Sequence, residues 1–221
     1  MSTDLITLTD PASPAAEAYR RLRINLVAAG RESPLQTILV VAAGADDEKA
    51  SIVANLAVTF ARIGKRVVLA DCDLRHPGQH ALFGLDNRGG VTTALAAEST
   101  RLPLQETAVA GLRVLTSGPA ADSPADLIAS PAMTALIGCL REEADIVLFD
   151  APPATLATDA AELATQVDGV LLIVAAGHTR RDEAQRAQEL LERVGARVVG
   201  AALVNVAVDG ELRKYLTGGA S

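Results

Sequence analysis

Six short apolar runs recur along this chain, and they limit its fold more than any other feature. They lie at Leu35 to Ala43, Arg66 to Asp71, Leu112 to Thr116, Asp145 to Asp150, Gly169 to Ala175 and Val198 to Val204. Each is strand-length and rich in Val, Ile and Leu, and most are continuous runs without alternation, the pattern of strands buried on both faces. Between them lie helix-length segments at about 49–63, 131–142, 158–167 and 179–194. Strands alternating with helices through right-handed crossovers give an α/β fold, a mostly parallel twisted sheet with helices on both faces. Aromatic residues make up 2% of the chain and Trp is absent, so Ala, Val, Leu and Ile must fill the core.

The boundaries follow from local signals. Residues 1–12 are expected to be extended and exposed. Ser13 followed by Pro14 opens a helix that Gly30 ends, since Ser caps and Pro suits the first helical position. Short helices are expected near Ala81 and Thr92. A single domain is then expected over 13–207, with 208–221 as a short flexible tail. A net charge of −7 argues against nucleic acid as a partner. Cys72 and Cys139 are too few for a disulfide framework. His76, His80 and His178 have no metal-ligand spacing with Cys72. With no basic-then-apolar leader and no apolar stretch of ~20 residues, the expected setting is cytoplasmic, any membrane link coming through a partner.

In parallel sheets, ligands bind beyond the carboxyl ends of the strands. The segments there are A-A-G-A-D-D-E-K-A-S at 42–51, D-C-D-L-R-H-P at 71–77, D-A-P-P at 150–153, and Asn205 after the last run. A strand, a loop with Lys at a helix start, and later strands ending in Asp make the layout of a P-loop nucleotide site. There the Lys reaches the β/γ-phosphates and Asp holds Mg²⁺.

Three segments carry a more specific resemblance: S-P-A-A-E-A-Y-R-R-L-R-I-N-L at 13–26, N-L-A-V-T-F-A-R-I-G-K-R-V-V-L-A-D-C-D-L-R-H-P-G-Q-H-A-L-F at 55–83, and L-F-D-A-P-P at 148–153. Together they resemble the bacterial tyrosine kinases (BY-kinases) of capsule and exopolysaccharide export, P-loop proteins related to the septum-site and plasmid-partition ATPases. The resemblance runs from about residue 5 to 207. It implies that Asp71, Asp73 and Asp150 serve Mg²⁺ and the reacting hydroxyl, with Asp71 and Asp150 nearest the metal. It implies that Lys49 and Ser51 face nucleotide phosphates and Asn205 the adenine. It also implies a ring-forming motif E-x-x-R-x-x-R, carried here by Glu17, Arg20 and Arg23, which helical spacing puts along one face. The partner implied is a membrane-spanning polysaccharide co-polymerase or an active kinase subunit, in a homo- or hetero-oligomer. The family phosphorylates a C-terminal tyrosine cluster; here Tyr215 stands alone, and Tyr19 reads as structural.

The departures from the family matter most. The phosphate loop pattern is G-x-x-x-x-G-K-[ST]. Aligned on Lys49, its other fixed positions hold Ala43, Glu48 and Ala50. The glycines of the family's usual loop have become Asp46 and Glu48. Glycine lets the backbone approach phosphate closely, so Glu48 needs that space and is expected at an unfavourable φ. Asp46, Asp47 and Glu48 place carboxylates where polyphosphate would lie. Two unit charges ~5 Å apart repel by roughly 3 kcal/mol at an effective dielectric of about 20, which is about a hundredfold in affinity. Ala50 has no hydroxyl for Mg²⁺. With no phosphate present, Asp46 or Asp47 is expected to cap the helix starting near Lys49, and Lys49 to pair with nearby carboxylates, its own or Asp71 or Asp150.

The expected product is therefore a BY-kinase-like subunit that assembles without phosphorylating and needs no cofactor. The alternative is an active autokinase using ATP and Mg²⁺. A partition-type ATPase would carry a second Lys where Gly44 stands.

Overall fold

The computed structural model describes residues 5–45, 48–96, 102–206 and 210. Its strands are β1 (Thr37–Ala42), β2 (Val67–Asp71), β3 (Gln105–Glu106), β4 (Leu112–Leu115), β5 (Ile146–Asp150), β6 (Gly169–Ala175) and β7 (Val198–Val204). They form one sheet in the order β3-β4-β2-β5-β1-β6-β7. Every pairing is parallel except the short β3–β4 contact. The helices are α1 (Ile6–Thr9), α2 (Pro14–Ala29), α3 (Lys49–Ala61), α4 (Gln79–Phe83), α5 (Val91–Ala96), α6 (Pro124–Ile128), α7 (Pro131–Glu143), α8 (Asp159–Ala164) and α9 (Arg181–Arg193).

All six residues of β1 are buried because the strand lies mid-sheet with helices on both faces. Leu39 and Val41 join the core shared with Met133, Leu140 and Leu163, on the α7 and α8 side. Ile38 and Val40 join the core shared with Leu56, Phe60 and Leu26, on the α2 and α3 side. Helix α3 is sandwiched between the sheet and the outer helices α1 and α2, so eleven of its thirteen residues are buried. Gly64 then turns the chain into β2 with a φ of +81°, a conformation that side chains disfavour. The Ser13 hydroxyl caps α2 by accepting from the Ala16 N–H at 3.2 Å, with Pro14 behind it.

One expectation needs correction. Residues 5–9 are not extended and exposed: Leu5 is fully buried and Ile6–Thr9 forms one helical turn. Leu5 packs in the core on the α2 and α3 side, and Asn55, buried on α3, holds the turn through its Oδ1, which accepts from both the Thr7 N–H (3.0 Å) and the Thr7 hydroxyl (2.8 Å). The Gly/Pro stretch 117–123 leads into α6, a five-residue helix, before α7 begins. The antiparallel β3 is also additional to the expected strands. Apart from Gly210, segment 208–221 lies outside the described residues, and Tyr215 with it. Among the described residues no helix is long and apolar enough to cross a membrane.

Candidate functional site at the carboxyl ends of β1, β2 and β5

Strand pairing brings the site together. Asp71 closes β2 and Asp150 closes β5, and the two stand opposite each other in register. Lys49 opens α3 directly beside them and is buried. Its ammonium pairs with Asp150 Oδ1 and lies 3.3 Å from Asp73 Oδ2. Burial acts to lower the Lys49 pKa, but the charges and hydrogen bonds of Asp150 and Asp73 outweigh it and raise the value, so the ammonium stays charged. Asp73 is a partner that the sequence reading did not assign to Lys49.

The carboxylates differ in state. Burial, then the charge of Asp150, push the Asp71 carboxyl up to about 7, although the N–H groups of Gln79 and Gly78 and the charge of Lys49 oppose this. Asp71 Oδ2 accepts from the backbone N–H of Gly78 (3.1 Å) and Gln79 (3.0 Å). Its Oδ1 is buried without a hydrogen-bond partner among the described residues. Burial also raises Asp150, with Lys49 and Gln79 pulling the other way. Cys72, between the two aspartates, is driven well above the ordinary thiol range by burial and then by the surrounding carboxylates, so it is inert.

Sequence reasoning missed Gln79. Its side chain is fully buried and donates from Nε2 to Asp150 Oδ2 at 2.7 Å and to the Ala50 carbonyl at 3.0 Å. Only its place eight residues beyond Asp71 hinted at it. Arg75 was also unassigned: its guanidinium grips buried Asp159 through two bonds, 2.9 and 3.0 Å, and so anchors the segment after β2 to α8.

These residues do not fit a Mg²⁺-bound nucleotide as they stand. Lys49 points inward to carboxylates, both Asp150 oxygens are engaged, and Ala50 offers no ligand. The carboxylate of Glu183, from the first turn of α9, lies over the loop at Gly44, where an added Cβ would fall 2.1 Å from its Oε1. Glu48 has a φ of −93°, an ordinary right-handed conformation, so the expected backbone strain is absent there. The helix start has turned in such a way that position 48 needs no glycine. Asp46 and Asp47, expected to cap α3, lie outside the described residues. Ser51 accepts from Asn55 Nδ2 at 3.3 Å on the first turn of α3.

Comparison with known proteins agrees with this architecture. The ParA family model, described as NUBPL iron-transfer P-loop NTPase, matches residues 35–207. The tyrosine-protein kinase YwqD of Bacillus subtilis is 35% identical over 91% of this chain and 85% of its own length. The chain belongs to the bacterial tyrosine kinase family. A putative tyrosine-protein kinase of Staphylococcus aureus, CapB, is 32% identical over 90% of this chain and 88% of its own length. The chain spans 28% of the Escherichia coli tyrosine-protein kinase etk. Among solved structures, the chimerical protein CapA2B2 superposes with a TM-score of 0.86 at 33% identity, covering 92% of this chain and 90% of its own. The kinase domain of E. coli ETK gives 0.88 at 28%, covering 93% and 81%. The septum site-determining protein MinD from Pyrococcus horikoshii, at 18% identity and a TM-score of 0.65 over 82% of this chain and 77% of its own, shares the fold.

The remaining residues of the family resemblance lie outside this cluster. Glu17 pairs with Arg20 at 2.7 Å and with Arg21 at 3.6 Å on α2, and not with Arg23. Arg23 keeps a buried Nε without a partner among the described residues. Tyr19, on the same helix, has its hydroxyl pushed up to about 12 by burial and then by the charge of Glu48, so the motif helix borders the loop. Asn205 follows β7 with a φ of +59°, which Asn tolerates in turns.

Proposed function

We propose that this chain is a non-phosphorylating subunit of the bacterial tyrosine kinase family. It acts by assembly with a co-polymerase tail, an active kinase subunit or further copies of itself, in capsule or exopolysaccharide synthesis. One observation carries the reading: Lys49, the residue that would hold phosphate, is turned inward onto Asp150 and Asp73. Lost loop glycines, the missing hydroxyl at Ala50 and the solitary Tyr215 support it. The substitutions would disfavour phosphate, and the internal ion pairs would satisfy the charges that nucleotide would otherwise neutralise.

The test is calorimetric titration with ADP or ATP and Mg²⁺, on the wild type and on an Asp46→Gly, Glu48→Gly, Ala50→Ser variant. The expected result is no wild-type binding up to millimolar nucleotide, with binding regained in the variant. Micromolar binding by the wild type would instead favour an active autokinase. The convergence of Asp71, Asp73, Asp150 and Lys49 is the observation in favour of that second reading, which a phosphorylation assay on Tyr215 would then pursue.

A further inference from the structure

The loop is only one side of the site; the segment between β2 and α4 covers it from the other. That segment is tied down at both ends. The His76 N–H donates to Asp73 Oδ1 at 3.0 Å, Arg75 grips Asp159, and the Gly78 and Gln79 N–H groups share Asp71 Oδ2. Gln79 then spends both of its Nε2 hydrogens inside the site, one on Asp150 Oδ2 and one on the carbonyl of Ala50. Its Oε1 is buried without a hydrogen-bond partner among the described residues.

Two small residues make this approach possible. A Cβ on Gly78 would lie 3.1 Å from the Cβ of Ala50, tighter than ordinary contact. The φ of Gly78 is −128°, which any residue adopts, so what glycine provides here is space and not backbone freedom. The loss of the hydroxyl at position 50 and the absence of a side chain at position 78 therefore belong to one packing contact. The amide of Gln79 occupies Asp150 Oδ2, which leaves that oxygen unavailable to any other partner.

We propose that Gly78 and Gln79 form a latch, closed over Ala50 and Asp150, that keeps the site in its lysine-in state independently of the acidic loop. Gln79 is a positioning residue: it fixes Asp150, and through Asp150 it fixes Lys49. This rests on the proposed non-phosphorylating role, and it predicts that restoring the loop alone leaves the site half closed.

The experiment compares five proteins: the wild type, the loop-restored triple variant, each of these with Gln79→Ala, and the wild type with Gly78→Ala. Mg²⁺-ADP binding is measured by calorimetry. Acetylation of Lys49 by an amine-reactive ester is followed by mass spectrometry. Thermal melts verify folding, and Gly78→Ala, which pushes the segment off Ala50 while sparing the Gln79 side chain, serves as the second variant. The expected results are at least tenfold tighter ADP binding when Gln79→Ala is added to the restored loop, and at least fivefold faster Lys49 acetylation in Gln79→Ala and Gly78→Ala made in the wild-type loop. Equal or weaker ADP binding on adding Gln79→Ala would overturn the latch while leaving the loop argument intact. If neither restored protein binds ADP, acetylation decides alone, and an unchanged Lys49 rate overturns the latch. Nucleotide binding by the wild type would overturn the non-phosphorylating role, and the acetylation rates would still judge the latch separately.

Discussion

Asp71 and Asp150 face each other across adjacent parallel strands, both fully buried, with the Lys49 ammonium paired to Asp150 and not to Asp71. Two carboxylates in one dry site cannot both ionise cheaply. The result is a carboxyl at Asp71 that holds its proton up to about pH 7.

This sets a pH dependence of stability. A buried carboxyl whose folded pKa lies above its unfolded value binds more protons when folded, so stability falls as pH rises between the two values. For Asp71 the window runs from about 4 to 7, and the loss is on the order of a few kcal/mol. Asp145 and Asp168 are shifted downwards and act at lower pH, with the opposite slope. Asp71→Asn keeps an acceptor for the Gly78 and Gln79 N–H groups and removes the charge. It is expected to be more stable than the wild type at pH 8 and nearly equal at pH 5, as urea unfolding at the two values would reveal. A wild type with the same stability at both, and no gain from Asn, would rule this out.

Removing the lysine has a larger consequence. Lys49→Met leaves Asp150 and Asp73 buried without their cation, and breaking a buried pair from one side costs about 3–5 kcal/mol. Adding Asp150→Asn should recover part of that loss, because the uncompensated charge goes with it. Urea denaturation of the two single variants and the double variant measures the coupling. Strict additivity would mean that the ion pair contributes nothing specific.

How much of this was legible in the sequence varies with the kind of signal. The strands could be read because continuous Val, Ile and Leu runs are required wherever a sheet is covered on both faces; β6 and β7 coincide with the runs at 169–175 and 198–204. The strand-end aspartates and Lys49 were legible for the same reason, since sheet topology forces those ends together. The Lys49–Asp73 pair and the reach of Gln79 were not, because each depends on how an irregular segment folds back over α3, and irregular segments carry no periodicity. Leu5 was misread likewise: a single helical turn has no repeat, and Leu5 is buried against residues distant in sequence, among them Leu56 and Phe60 of α3. Glu48 was expected to be strained by analogy with a glycine loop, yet here the backbone lies in an ordinary region.

The Asn55 contact gives a prediction of its own. Asn55→Ala removes the acceptor for the Thr7 N–H and hydroxyl and leaves both donors inside the protein. A stranded buried donor costs about 1–3 kcal/mol. The expected result is a loss of that size in urea unfolding, together with faster amide exchange at Leu8 and Thr9 as α1 frays. Loss of stability with exchange there unchanged would show that Asn55 acts within α3 through Ser51 instead.

The motif helix offers the last test, and its members are not equivalent. Arg20 is already occupied, donating to Glu17 at 2.7 Å and to the Pro11 carbonyl at 2.8 Å. Such a partly exposed pair contributes little to stability, typically under about 1 kcal/mol. Arg23 instead keeps a buried Nε without a partner among the described residues, and a desolvated donor on an arginine gains most from a carboxylate or carbonyl supplied by another molecule. If α2 joins subunits, Arg23 should carry more of the contact than Arg20. Arg23→Ala is expected to shift the sedimentation profile towards the monomer by at least tenfold in dissociation constant, while Arg20→Ala shifts it less than threefold. Both variants should unfold within about 1 kcal/mol of the wild type. An Arg23→Ala protein that assembles as the wild type does would place the interface elsewhere, and an equal loss from both would mean that Arg20 exchanges its internal partners on assembly.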